Sequence, residues 1–159
     1  MKVNTEGAMS NVSQRASAGG LIRDADGRWV VGFTANLGAC GVLAAEAWGA
    51  IHGLHLAWEL SVSRVILEMD NQCLVDMLLN KSTCPLGSLS LIQEIKRLLQ
   101  RSWTVEIVHV FREANKCADH LASLASAHPV GVHTLQVPPD SVKSLLFYDT
   151  IGVAVPRGH

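Results

Sequence analysis

Four acidic residues, far apart in the sequence, have types and neighbours that suit divalent-cation binding. Glu6 ends a short alternating segment, Glu46 lies in an Ala- and Gly-rich helical stretch, and Asp70 directly follows an apolar run. Asp119 lies one turn inside the last helical segment. A helix cap for Asp70 or a helix-dipole partner for Asp119 would explain each residue alone. Glu46 is harder to explain structurally, because a carboxylate on a packing face must be paired, neutralised or bound to a metal.

The predicted order of elements brings these acids together. Glu6 and Asp70 both end predicted strands, and the carboxyl ends of parallel strands meet at the sheet edge where ligands bind. Clustered carboxylates repel each other unless cations neutralise them, and hard oxygen ligands favour Mg²⁺ or Mn²⁺ over zinc. Two such ions about 4 Å apart can activate a water and stabilise the leaving oxygen of a phosphodiester.

Hydrophobic periodicity predicts an α/β fold. Period-two and apolar runs predict strands, and apolar stripes at helical spacing predict helices. A hairpin is predicted around the turn at 24–27, and strands that alternate with helices after it indicate a mixed sheet covered by helices. The predicted strands are 2–6, 18–23, 29–34, 64–69 and 104–110, and the predicted helices are 42–60, 71–80, 88–101 and 115–126.

Length and composition indicate one intracellular domain. The chain has 159 residues and a formal net charge of -1, which excludes an overall polycation. No apolar run is long enough to span a membrane, and no secretory signal is visible. The four cysteines lack zinc-site spacing and are expected to be reduced thiols, while nucleus and cytoplasm stay open. We expect a domain at 1–127 and an irregular C-terminal extension at 128–159, with one short helical turn near 141–146.

Five segments together resemble ribonuclease H, and most closely the ribonuclease H-like domain of plant retrotransposon reverse transcriptases and their stand-alone relatives. The segments are Asn4–Ala8, Gly19–Arg23, Ala45–Ala47, Leu67–Asn71 and His109–Ala122. The resemblance covers roughly residues 2–127. It implies a mixed five-stranded sheet in the order 3-2-1-4-5, with strand 2 antiparallel, covered by helices. It also implies metal-dependent endonucleolytic hydrolysis of the RNA strand in RNA–DNA hybrids.

The same resemblance assigns the metal ligands. Glu6, Glu46, Asp70 and Asp119 occupy the four positions that are both catalytic and metal-binding in the family. Two Mg²⁺ ions per site, with Mn²⁺ as a substitute, are therefore expected, and zinc is not. The expected partner is an RNA–DNA hybrid, and the expected oligomeric state is a monomer.

The chain departs from the family pattern in two places. The family has Asp where this chain has Glu6, and an extra methylene displaces the carboxylate by ~1 Å, a misplacement that can cost ~10²-fold in rate. The loop after the last predicted strand is short and lacks the His of many bacterial members, and His109 is assigned no catalytic role. The alternative interpretation is therefore a catalytically impaired ribonuclease H fold that binds nucleic acid or protein.

Substrate contacts are expected beside the acids. Amides there could bind sugars, a glycine pair could let the backbone approach a strand, and basic residues could contact phosphates. The amides are Asn4, Asn71 and Gln72, the glycines are Gly19 and Gly20, and the nearby basic candidates include Arg15, Arg112 and Lys116.

Overall fold

The computed structural model describes residues 1–150, with six strands and five α-helices. The strands are β1 (Lys2–Met9), β2 (Ala16–Arg23), β3 (Trp29–Gly38), β4 (Arg64–Met69), β5 (Thr104–His109) and β6 (Gly131–Leu135). The helices are α1 (Val42–Glu59), α2 (Gln72–Leu78), α3 (Leu89–Leu99), α4 (Lys116–Ser123) and α5 (Asp140–Thr150). Short 3₁₀ turns occur at Leu86–Ser88, Arg112–Ala114 and Leu124–Ala127.

The strands form one mixed sheet in the order β5-β4-β1-β2-β3-β6. β1, β4 and β5 are parallel neighbours, whereas β2 is antiparallel to both β1 and β3. The first five strands therefore have the predicted 3-2-1-4-5 order with an antiparallel second strand. The α/β prediction is confirmed, and the strand count of five is wrong because β6 adds to the β3 edge.

The C-terminal segment is more regular than expected. β6 pairs antiparallel with residues 32–36 of β3, and the Trp29 indole donates a hydrogen bond to the Gln136 carbonyl 3.1 Å away. The helical turn expected near 141–146 belongs to α5, where Val142 is fully buried. The expected irregular extension is thus wrong for residues 131–150, and residues 151–159 lie outside the described part. A domain boundary at residue 127 stays a prediction.

Helices cover the sheet on both faces. α1, α2 and α3 pack their apolar stripes against one face, where Val3, Leu67 and Met69 are fully buried. α4 and α5 pack on the other face, around Leu21 and Leu121. The carboxyl ends of β1 and β4 lie side by side because these strands are parallel neighbours.

Two strand glycines permit the closest sheet–helix contacts. A Cβ at Gly7 would lie 2.2 Å from the Glu46 backbone nitrogen, and a Cβ at Gly19 would lie 2.2 Å from that of Ala122. Any side chain at these positions would push α1 or α4 away from the sheet. Gly7 therefore sets the distance from β1 to the part of α1 that carries Glu46.

The expected approach of substrate to Gly19 and Gly20 is wrong. Both residues are buried. Gly19 faces the backbone of α4, and a Cβ at Gly20 would lie 2.6 Å from the Phe33 ring. The groups that approach Gly19 and Gly20 closely therefore belong to the protein itself and not to a substrate.

Replacing Gly19 by Ala is expected to lower the free energy of unfolding by about 3 kcal/mol, because the methyl group overlaps backbone atoms of α4. Urea unfolding followed by circular dichroism measures the change. Gly87→Ala is the control, since its Cβ would meet nothing within 4 Å, and it should stay within about 0.5 kcal/mol of wild type. Equal stability of the two variants would contradict this account of α4 packing.

Candidate active site

Three of the four predicted acids converge at the carboxyl ends of β1 and β4. Glu6 lies in β1, Asp70 directly follows β4, and Glu46 extends from α1 across Gly7. One carboxylate oxygen from each lies within 4.8 Å of the other two. Such a spacing suits shared ligation of a hard cation, which prefers carboxylate oxygens.

Glu46 provides the strongest indication that something else belongs in this cluster. Glu46 is only 3% exposed, and its Oε2 atom has no hydrogen-bond partner. A buried carboxylate oxygen without a donor is unfavourable unless the group is protonated or bound to a cation. The donor set of three carboxylates with an unsatisfied oxygen therefore fits a divalent metal ion.

Burial and mutual repulsion perturb all three acids. Burial, with a hydrogen bond that the protonated Glu6 donates to Glu46, raises the pKa of Glu6 to about 8. Burial also raises the pKa of Glu46 to about 7, although hydrogen bonds from Glu6 and the Gly7 backbone oppose the shift. The pKa of Asp70 rises to about 7 through burial and its interactions with Glu6. Near neutral pH the cluster without a cation therefore retains protons that ordinary carboxyl groups would lose.

Asp119 lies beside the cluster but is not part of its tight core. Its side chain is 45% exposed and lies 3.8 Å from the Arg112 guanidinium. Its negative charge helps to raise the pKa of Glu6, Glu46 and Asp70. The structure therefore places Asp119 near enough to act on the three acids electrostatically, at the open side of the site.

A buried amide network holds Glu6, and the sequence analysis missed it. Asn115 is 1% exposed, and its Nδ2 donates to the Thr5 carbonyl at 2.9 Å and to Glu6 Oε2 at 3.3 Å. Asn4 Nδ2 in turn donates to Asn115 Oδ1 at 3.1 Å and to Glu68 Oε1 at 2.9 Å. Asn115 occupies the N-cap position of α4, but its side chain makes no capping hydrogen bond. The sequence feature that could have indicated this network is an asparagine one helical turn before Asp119.

The expected contact between Asn4 and substrate is wrong. Asn4 is 1% exposed, and its Oδ1 accepts a hydrogen bond from Arg23 Nη2 at 3.0 Å. Both ends of the amide are thus used inside the protein.

The other predicted contact residues lie at the surface. Asn71 is partly exposed and caps α2 by accepting the Leu74 N–H, and Gln72 donates to Asp76. Arg112, in the 3₁₀ turn before α4, and Lys116, the first residue of α4, are exposed. Their contact with substrate stays a prediction.

None of the helices within residues 1–150 is both long and apolar enough to cross a bilayer.

Comparison with known proteins places these features in a family. The family described as reverse transcriptase-like matches residues 4–125. An Arabidopsis thaliana protein with a provisional ribonuclease H name is 43% identical over 159 aligned positions, and the alignment covers 99% of this chain. The chain spans 25% of the length of that relative.

Solved structures show the same fold. Ribonuclease H1 of the archaeon Halobacterium salinarum superimposes with a TM-score of 0.74 at 23% identity, covering 79% of this chain and 96% of that one. LC11-RNase H1, solved in complex with an RNA/DNA hybrid, gives 0.73 at 21% identity over 78% and 94% of the two chains. With this fold, and with a family match over most of its length, the chain belongs to the reverse transcriptase-like family and is a ribonuclease H-like domain.

Proposed function

We propose that this domain is a metal-dependent endonuclease that hydrolyses the RNA strand of RNA–DNA hybrids. The observation that carries the proposal is the cluster of Glu6, Glu46 and Asp70 with an unsatisfied, buried Glu46 oxygen. The fold of LC11-RNase H1, a protein solved with a hybrid bound, supports the choice of substrate. LC11-RNase H1 and this chain share their fold at 21% sequence identity. The substrate is therefore part of what we propose.

We assign Glu6, Glu46 and Asp70 as ligands of Mg²⁺, or of Mn²⁺ as its substitute, and Asp119 as the fourth ligand of a two-ion site. When bound, the ions would supply activation of water and stabilisation of charge at the phosphodiester. The unsatisfied oxygen of Glu46 makes this residue available to a cation without first breaking a hydrogen bond.

The surrounding residues orient the acids and handle the substrate. Asn115 holds the Glu6 carboxylate and the β1 backbone together, so Glu6 has little freedom to rotate away. Arg112 is 79% exposed and pairs with Asp119 only at 3.8 Å. It can therefore turn towards a phosphate as substrate arrives, while Asp119 turns towards the acids.

A second candidate function is a nucleic-acid or protein-binding module without efficient cleavage. Glu6 favours it, because the ribonuclease H family has Asp at this position and the longer side chain displaces the carboxylate. Against it, Glu6 still lies within 4.8 Å of its two partners. The two functions differ in whether the purified protein cuts a hybrid.

Cleavage of a labelled RNA–DNA hybrid in Mg²⁺ or Mn²⁺ tests the nuclease. Asp70→Asn and Glu46→Gln should lower the rate by at least about 10²-fold, because each removes a charged oxygen ligand. Glu59→Gln at the exposed opposite end of α1 should cut like wild type. Metal-dependent cutting that survives Asp70→Asn would contradict the assigned site.

Glu6→Asp is expected to change the cleavage rate without preventing folding, since the shorter side chain keeps the carboxylate. If the family geometry is optimal, the variant should cut faster than wild type by up to ~10²-fold. Hybrid binding without cutting by both proteins would instead favour the binding module. Rates measured over a range of Mn²⁺ concentrations separate weaker metal binding from slower chemistry.

Stability of the metal-free protein should fall as pH rises from about 4.5 to about 8. Glu6 has a pKa of about 8 in the folded protein against 4.5 when unperturbed, so the folded state holds more protons across this range. Thermal unfolding in EDTA at several pH values measures the trend, and Glu46→Gln should make it shallower. Mn²⁺ should raise the melting temperature of wild type most at the high-pH end, by binding only the folded state. A stability that is flat with pH in EDTA would contradict the repulsion inferred for the cluster.

A further inference from the structure

An open cavity of about 550 Å³ lies next to the acidic cluster and has the opposite electrostatic character. The end of β1, the start of β2, and the segment that follows α4 form its walls. None of its lining residues, all within the described chain, is acidic. Serine hydroxyls and one arginine supply much of its polar lining, which suits an anion better than a cation.

The donors at its rim come from an ordered loop. Between β1 and β2, Ser10 N donates to the Arg15 carbonyl and Gln14 N to the Ser10 carbonyl, both at 2.9 Å. The Ser10 and Ser13 hydroxyl oxygens accept backbone N–H groups at 3.3 and 3.4 Å. Their O–H protons thus remain available to an incoming acceptor.

Arg15 is the charged group of this cavity. It is exposed, and its guanidinium makes no ion pair with another residue in the part of the chain that the structure describes. Two other polar residues of the lining already have hydrogen-bond partners. Asn36 donates to the His128 carbonyl at 2.8 Å, and His128 Nδ1 donates to the Pro129 carbonyl at 2.9 Å. Arg15 and the serine hydroxyls are therefore the groups left to bind a ligand.

The cavity begins close to Glu6 along β1, so the nucleic-acid strand that would be cut could also reach it. Its lining begins at Ala8, two residues beyond Glu6 in the same strand, which is a rise of about 7 Å. A nucleotide of one strand advances about 3.4 Å along the axis of a duplex. A strand with its scissile phosphate at the carboxylates would thus place a phosphate one or two nucleotides away at this cavity.

We propose that this cavity is a phosphate-binding subsite for the RNA strand of the hybrid, with Arg15 as its cationic contact. The proposal rests on the proposed function, because it places the cut strand over Glu6. The subsite would offset the repulsion between the phosphate backbone and the neighbouring acids. Its contribution is to affinity and register, since Arg15 lies outside the carboxylate cluster.

Phosphate interference in a binding assay tests the subsite independently of cleavage. Asp70→Asn protein, with and without Arg15→Gln, is titrated by fluorescence anisotropy against hybrids in Mg²⁺. Each hybrid carries one neutral methylphosphonate linkage at a different position of the RNA strand. With Arg15 present, affinity should fall about 3–10-fold at one or two adjacent linkages within three of the scissile one. With Arg15→Gln, the same linkages should have no further effect, and the slope of log affinity against log salt should become shallower by about 0.9.

Arg28→Gln is the matched control, because Arg28 is exposed at the β2–β3 turn and outside the cavity lining. It should keep the full interference pattern. The subsite is overturned if no linkage is sensitive, or if the sensitive linkages stay sensitive in Arg15→Gln. Cleavage by the protein with Asp70 intact is measured separately. Cutting without any Arg15-dependent linkage contradicts the subsite alone, and Arg15-dependent binding without cutting contradicts the nuclease alone.

Discussion

Repulsion among three carboxylates within 4.8 Å of one another is the constraint on which the rest of this structure depends. The fold holds the acids together through contacts that do not involve their charges. Gly7 lets α1 approach β1, the parallel pairing of β1 and β4 aligns Glu6 with Asp70, and core packing fixes the strands. Burial first, and the neighbouring acids second, raise the pKa values of all three groups in this arrangement. A cluster of acids that is unfavourable when fully ionised is one that a bound cation would stabilise.

The Asn4–Asn115 pair connects this site to the far side of β1. Asn4 joins Arg23 and Glu68, and Asn115 joins Glu6, so one buried chain of hydrogen bonds runs from a surface ion pair to the acids. Networks of this kind are rigid when every member is satisfied. The position of Glu6 therefore depends on residues of β2 and β4 that are not members of the carboxylate cluster.

Sequence patterns predicted the features that depend on local periodicity. The approach of Glu6 to Asp70 followed from apolar runs and from the rule that parallel strands end at one edge. The order of β1 to β5 and the place of Glu46 beside them followed from the resemblance to ribonuclease H. β6 was missed because its five residues are mostly exposed and pair through backbone groups, which leave no apolar period. Asn4 and Gly19 were assigned to substrate because an amide or a glycine carries no sequence signal for which group it will meet. Their partners, on α4 and β2, are set by the tertiary packing.

The sixth strand changes what the outer edge of the sheet presents to other molecules. Without residues 131–135, the β3 segment 32–36 would expose a row of unpaired N–H and C=O groups. Such an edge is a template for strand addition by a second copy or an extended peptide. A chain shortened at residue 127 would therefore risk self-association even with its carboxylates intact.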